Sequence, residues 1–188
     1  IKLLKYLVLF LFFSFKLSSL YAKQAPEVIW DKTFGGSGLD TLPHIQQTSD
    51  GGYIVVGSTN SNDGNNGSTD YWIIKLDGSG NKVWDKTFGG SYYEYAESIQ
   101  QTSDGGYIVT GSTGSNDGDI SDGNNGGWDY WVIKLDGSGN KLWDKTFGGS
   151  DYDYAESIEQ TSDGGYIVAG YTNSNDGDVT DGNNRDIF

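Results

Sequence analysis

In Tyr130-Trp131-Val132-Ile133-Lys134-Leu135 both faces of the pleat are apolar, with Trp131, Ile133 and Leu135 on one side and Tyr130 and Val132 on the other. A strand with one face in water alternates more cleanly, so this pattern predicts a strand covered on both sides. Ahead of it, Tyr107 to Ser112 (YIVTGS) is β-branched and aromatic and predicts another strand. Ser98 to Thr102 predicts a shorter extended run before the turn Ser103-Asp104-Gly105-Gly106. After it, Asp136-Gly137-Ser138-Gly139-Asn140 is a hairpin loop leading into Lys141 to Thr146 (KLWDKT). Four strands joined in order by turns make an antiparallel meander. Outside the N-terminal segment nothing has the i, i+3, i+4 spacing of an amphipathic helix.

The pattern repeats. WDKTFGGS occurs at Trp30, Trp84 and Trp143, and QTSDGGYIV follows at Gln47, Gln101 and Gln160. The repeats run 30–83, 84–142 and 143–188, the last incomplete. Units this short bury their apolar faces only by stacking on one another. The predicted fold is therefore all-β, built from four-stranded antiparallel meander repeats, as a partial, truncated β-propeller. A β-solenoid is the alternative, although its coils usually have shorter repeats. The leading WDKTFGG is expected to be a closing strand ahead of any complete unit. Asp186-Ile187-Phe188 is expected to begin a third strand that the chain does not finish.

Residues 1–22 change the picture of where the protein goes. Lys2 and Lys5 precede an apolar run from Tyr6 to Phe15, and Ser18 to Ala22 is a small-residue exit. That is the layout of a secretory signal peptide cut after Ala22, leaving a repeat domain over 23–188. A membrane anchor would need about 20 apolar residues, and Lys16 interrupts the run well short of that. The expected product is secreted or cell-surface associated, with no membrane span after cleavage. Loss of the segment's three lysines takes the net charge from −14 to −17. A surface that acidic repels phosphate backbones, so no nucleic-acid partner is expected. The absence of Cys removes disulfides, thiolate nucleophiles and sulfur-ligated zinc.

WDKTFGGS, QTSDGGYIV and DYWVIKLDGSGNKLWDKTFGG together resemble the tandem repeats of β-propeller proteins exported by bacteria of the Bacteroidetes group, with relatives among archaeal surface proteins. The resemblance covers Trp30 to the end. It implies a secreted or surface location and a longer parent protein, often with a C-terminal sorting domain. It does not imply a substrate.

Two sets of residues are candidates for chemistry. The long loops SNDGDISDGNNGGWD (Ser115–Asp129) and SNDGDVTDGNNRD (Ser174–Asp186) offer Asp117, Asp119, Ser121, Asp122, Asn124, Asp176, Asp178 and Asp181 as oxygen ligands for Ca²⁺. Their spacing matches an EF-hand only in part, and the first repeat's loop lacks most of the acids. A turn-rich loop held by side-chain-to-backbone bonds is the alternative. The second set, Tyr92, Tyr93, Tyr95, Tyr152 and Tyr154, lies beside acids in SYYEYAES and SDYDYAES, the dress of a carbohydrate-binding or partner-binding surface. These residues are expected in the connection between units, where ordinary packing is the alternative.

Catalysis has weaker support. Asp40, Glu94 and Asp153 recur at one position, and so do Glu97 and Glu156, which argues for architecture over a two-carboxylate active site. His44 is the only histidine, aligns with Ser98 and Ser157, and has no partner for a relay. Thr102-x-Asp104-x-Gly106 resembles the Asp-box hairpin of sialidase propellers, with Val109 where that motif has an aromatic, and implies a turn-capping aspartate. The expected function is a non-catalytic binding, adhesion or structural module. The alternative is a fragment of a secreted polysaccharide hydrolase or lyase.

Overall fold

The computed structural model describes residues 27–61 and 68–180, and Lys32 onward forms one compact unit. The signal-peptide assignment, the first repeat's loop 62–67 and the third strand expected at Asp186 lie outside the described residues. The first sheet contains β1 (Asp40–Gln47), β2 (Tyr53–Thr59), β3 (Asp70–Leu76) and β4 (Lys82–Phe88). The second contains β5 (Glu94–Gln101), β6 (Tyr107–Thr113), β7 (Asp129–Leu135) and β8 (Lys141–Phe147). A two-stranded sheet follows, from β9 (Asp153–Gln160) and β10 (Tyr166–Thr172). Each four-stranded sheet is an antiparallel meander in sequence order, as the alternation predicts.

Two expectations about strand positions are corrected. Over Lys32–Gly36 the first WDKTFGG copy forms no strand. The later copies become β4 and β8 only by pairing with β3 and β7, and no such strand precedes the first copy among the described residues. The first strand of each unit also starts earlier than the SIQQT run suggests, at Asp40, Glu94 and Asp153. Polar–aromatic alternation explains both the miss and the strand. Glu94 and Ala96 point inward and are buried, whereas Tyr95 between them is exposed.

The sheets stack face to face. Tyr71, Ile73, Ile54 and Val56 of the first sheet meet Trp131, Ile133, Val109 and Ile99 of the second in one core, with Tyr71 and Trp131 rings 4.7 Å apart. The second sheet's other face, through Ile108 and Val132, packs on Ile158 and Val168. This two-sided burial is what the apolar pattern of β7 requires. Side chains also lock one sheet's backbone to the next. The Gln101 N–H donates to Gln46 Oε1 (2.6 Å), while Gln101 Oε1 accepts from the Ser49 N–H (2.8 Å). Gln160 makes the same pair of bonds with Gln100 Oε1 and the Ser103 N–H. His44 has a place in this lattice: its Nδ1 accepts from the Ile99 N–H, as Ser98 Oγ accepts from the Ile158 N–H one sheet on.

The hairpins at one edge are tied by a buried lysine. Lys134 Nζ, 4% exposed, donates to Thr102 Oγ1, Asp104 Oδ1 and the Leu135 carbonyl at 3.0–3.1 Å. Asp104 also accepts from the Gly106 N–H and the Thr102 hydroxyl, which hold its carboxyl down at about 2. Lys75, Thr48 and Asp50 repeat the arrangement in the first sheet. This is the turn-capping role that the TSDGG motif implies. Lys134→Met leaves Asp104 hydrated, since its side chain is 59% exposed. Its cost in urea unfolding is therefore expected to be about 1–2 kcal/mol, below the 3–5 kcal/mol of an orphaned buried ion.

Candidate ligand-binding surface

Antiparallel pairing decides which segments share an edge. Glu94 pairs with Thr113 and Thr113 with Asp129, so the start of β5, the end of β6 and the start of β7 lie together. The GGSYY approach to β5 and the long loop before β7 therefore meet at one edge, opposite the TSDGG hairpins. Two isolated parallel bridges, Thr69 to Tyr93 and Trp128 to Tyr152, carry this edge from one sheet to the next.

The acidic loops are straps. Asp117 Oδ1 accepts from the Ser91 N–H (2.7 Å) and Asp119 Oδ2 from the Gly89 N–H (3.1 Å). In the next unit Asp176 and Asp178 do the same for Ser150 and Gly148. Ile120, 5% exposed, drops into the core, and Ser121 donates from both N–H and hydroxyl to Asp144. Asp122 pairs with Lys145, and the Asn124 amide donates to the Thr113 and Gly127 carbonyls. Asp181 lies outside the described residues. The proposed calcium ligands thus reach separate partners, and among the described residues no three acids or histidines converge in a way that could hold a metal. Alternate spacing brings Asp117 and Asp119 to the Ser91 and Gly89 N–H groups, on either side of Gly90, whose N–H goes to Glu94.

The recurring carboxylates Asp40, Glu94 and Asp153 have the same kind of use. Glu94 accepts from the Gly90 N–H (2.9 Å) and the Thr113 hydroxyl (2.8 Å), and Asp153 accepts from the Gly149 N–H and the Ser174 hydroxyl, both at 2.8 Å. Asp40 binds the Gly36 N–H and Thr59. These acids cap glycine turns and are buried at Glu94 and Asp153.

The tyrosines behave differently. Tyr93 and Tyr95 are stacked at 6.4 Å, Tyr95 and Trp128 at 5.2 Å, Trp128 and Tyr154 at 6.0 Å, and Tyr154 and Tyr171 at 5.0 Å, with interplanar angles of 12–28°. Tyr152 stacks on Tyr154 at 6.3 Å and 6°, and Tyr92 sits edge-on to Tyr93 at 4.9 Å. Tyr92, Tyr93, Tyr95, Tyr152 and Tyr171 are each 36–52% exposed. All five sequence candidates therefore join one aromatic ladder crossing from the second sheet to the third. They are corrected in position: Tyr95 and Tyr154 lie inside β5 and β9, and the other three immediately precede those strands.

Two members of the ladder escape a reading by repeats. Trp128 aligns with Thr69, and Tyr171 aligns with Ser112 and Ser58, so each departs from its unit. That departure was the available signal. Tyr171 reaches Tyr154 because they are cross-strand partners.

The extra acids beside the ladder sit on bulges. Between Ala96 and Ser98 the register of β5 against β6 skips Glu97, and β9 skips Glu156 in the same way. A bulge re-aims the side chain it carries. Glu97 is half-buried and its carboxyl is raised by desolvation and by Glu156 across the sheet boundary. The phenol of Tyr171 is raised by burial and by both glutamates. Neither glutamate has a hydrogen bond or ion pair among the described residues. No family model matches the chain, and no curated protein matches its sequence.

Proposed function

We propose that the chain is a secreted or cell-surface repeat protein whose stacked sheets form an arc of a β-propeller and present a non-catalytic saccharide-binding surface. The likeness to exported Bacteroidetes-type repeats supports the location, and face-to-face stacking of like meanders supports the propeller arrangement. The observation that carries the function is the aromatic ladder through Tyr95, Trp128 and Tyr154, in which half-buried Trp128 and Tyr154 link the exposed rings of Tyr92, Tyr93, Tyr95, Tyr152 and Tyr171. Soluble proteins seldom leave so many rings together in water without a partner for them. Sugar rings suit such a surface, because their C–H faces meet the negative faces of aromatic π-systems while their hydroxyls stay solvated.

A polysaccharide-acting hydrolase is the rival and has less support. The paired acids of the fold are engaged in capping, and the remaining pair is a half-buried Glu97 and an exposed Glu156. Release of reducing ends from the bound polymer would favour that rival.

The test is a fluorescence titration of the full chain with β-linked hexasaccharides, beside Trp128→Ala. Loss of Trp128 removes the ring joining the two halves of the ladder, and affinity is expected to fall at least about tenfold with little change in Tm. Failure of every saccharide to bind, or an unchanged affinity in the variant, overturns the proposal.

A further inference from the structure

We propose that the ladder's ligand is an amine-bearing saccharide, a glucosamine-type polymer whose protonated amino groups seat between Glu97 and Glu156. The inference rests on the ladder being a saccharide surface and goes on to name the class of sugar.

The bulges carry the argument. In the first unit the corresponding irregularity spans Leu42 and Pro43, and Pro43 aligns with Glu97 and Glu156. The bulge therefore does not need an acid to form. Where the ladder exists, in the second and third units, both bulges carry glutamate; where the ladder is absent, the slot is apolar. Tyr95 and Glu97 occupy consecutive outward positions of β5, and Tyr154 and Glu156 do the same in β9. Ring and carboxylate are thus presented in register twice.

The electrostatics favour a cation over a neutral sugar. The five ion pairs among the described residues join lysines to Asp50, Asp85, Asp104, Asp144 and Asp122, and none includes Glu97 or Glu156. The two glutamates repel one another, and the groups acting on Tyr154 and Tyr171 are likewise acids and phenols. An ammonium placed between the glutamates relieves that repulsion and gains attraction from the ring faces beside it. The chain's net charge of −14 steers the same kind of ligand toward the surface. A neutral sugar would gain hydrogen bonds from the carboxylates and leave their repulsion in place.

The experiment titrates the full chain with four probes of equal length: a fully deacetylated β-1,4-glucosamine hexamer, its N-acetylated form, a β-1,4-glucose hexamer and hexalysine. The amine hexamer is expected to bind at least about tenfold tighter than the acetylated and glucose forms, with the advantage shrinking as salt rises. Glu97→Gln and Glu156→Gln should each weaken the amine hexamer about fivefold and leave the glucose hexamer unchanged. Circular dichroism of the variants should match the wild type, because Pro43 shows that the slot tolerates loss of charge. Equal binding of all three sugars, or no effect of the glutamine variants, overturns the amine assignment and leaves the saccharide surface standing. Binding of none of the sugars overturns both. Hexalysine binding as tightly as the amine hexamer overturns the assignment in favour of a general polycation surface.

Discussion

Gly111→Ala is expected to destabilise the protein by about 3 kcal/mol, the upper end for forcing one extra carbon into a packed interior. A Cβ at Gly111 would strike the Tyr95 carbonyl oxygen and come within 2.8 Å of the Ala96 Cα and 2.7 Å of the Tyr71 hydroxyl. Two of those three atoms are backbone of β5 beside its bulge. The third belongs to a fully buried ring that donates to the Trp131 carbonyl. None can rotate out of the way, so β5 must leave β6 or the two sheets must part. Gly57 and Gly170 meet the same obstruction in their own units, from the carbonyls of Thr41 and Tyr154. For a domain of this size the loss corresponds to a fall in Tm of about 6–12 °C. Gly105→Ala is the control. Gly105 has φ +82° and nothing within 4 Å of its missing Cβ, so only the left-handed conformation is penalised, about 1–2 kcal/mol. A fall for Gly111→Ala no larger than for the control would mean that the bulge does not crowd β6.

Asp129→Asn should stabilise the protein at pH 7.5, with the gain disappearing in acid. Asp129 is fully buried, its Oδ2 accepts from the Asn125 N–H at 2.7 Å, and its Oδ1 has no hydrogen-bond partner among the described residues. Gly148 separates it narrowly from Asp153. Desolvation first, then the charges of Asp153 and Asp178, push its carboxyl up from 3.8 to about 6. A group raised in the folded state contributes stability that is complete below its unfolded value and lost as pH rises through its folded value. Ionisation of Asp129 therefore costs stability between about pH 4 and 7, by about 1–3 kcal/mol. Asparagine keeps an oxygen for the Asn125 N–H, can turn its amide toward Asp153, and does not ionise. The Tm difference between variant and wild type should grow from near zero at pH 4 to about 2–12 °C at pH 7.5. A difference independent of pH would show that another group carries the titration. Glu94 and Glu97, also raised by burial, act in the same direction in both proteins and cancel in the comparison. Asp104, held near 2, matters only at lower pH.

These two expectations come from contacts of different reach, and so does the legibility of the molecule. The strands of DYWVIKL, YIVTGS and KLWDKT could be read directly, because a pleat has period two and both faces of β7 are apolar. The turns were equally plain, since TSDGG and DGSGN supply left-handed glycines and side-chain caps locally. The leading WDKTFGG read as a strand and is not one, because a strand needs a partner that no local pattern supplies. The partners of the loop acids were hidden for a related reason. Spacing along a loop shows which oxygens are near in sequence, whereas the N–H groups that claimed Asp117 and Asp119 lie 26 and 30 residues away.

By itself the sequence determined the repeat, the meander, the acidic surface and the tyrosines as candidates, because each depends on residue type and short-range spacing. Only the tertiary structure decided that Trp128 and Tyr171 complete the ladder and that Glu97 and Glu156 sit on matching bulges of β5 and β9. Those outcomes depend on which strand edges the antiparallel register brings together and on how one sheet seats against the next.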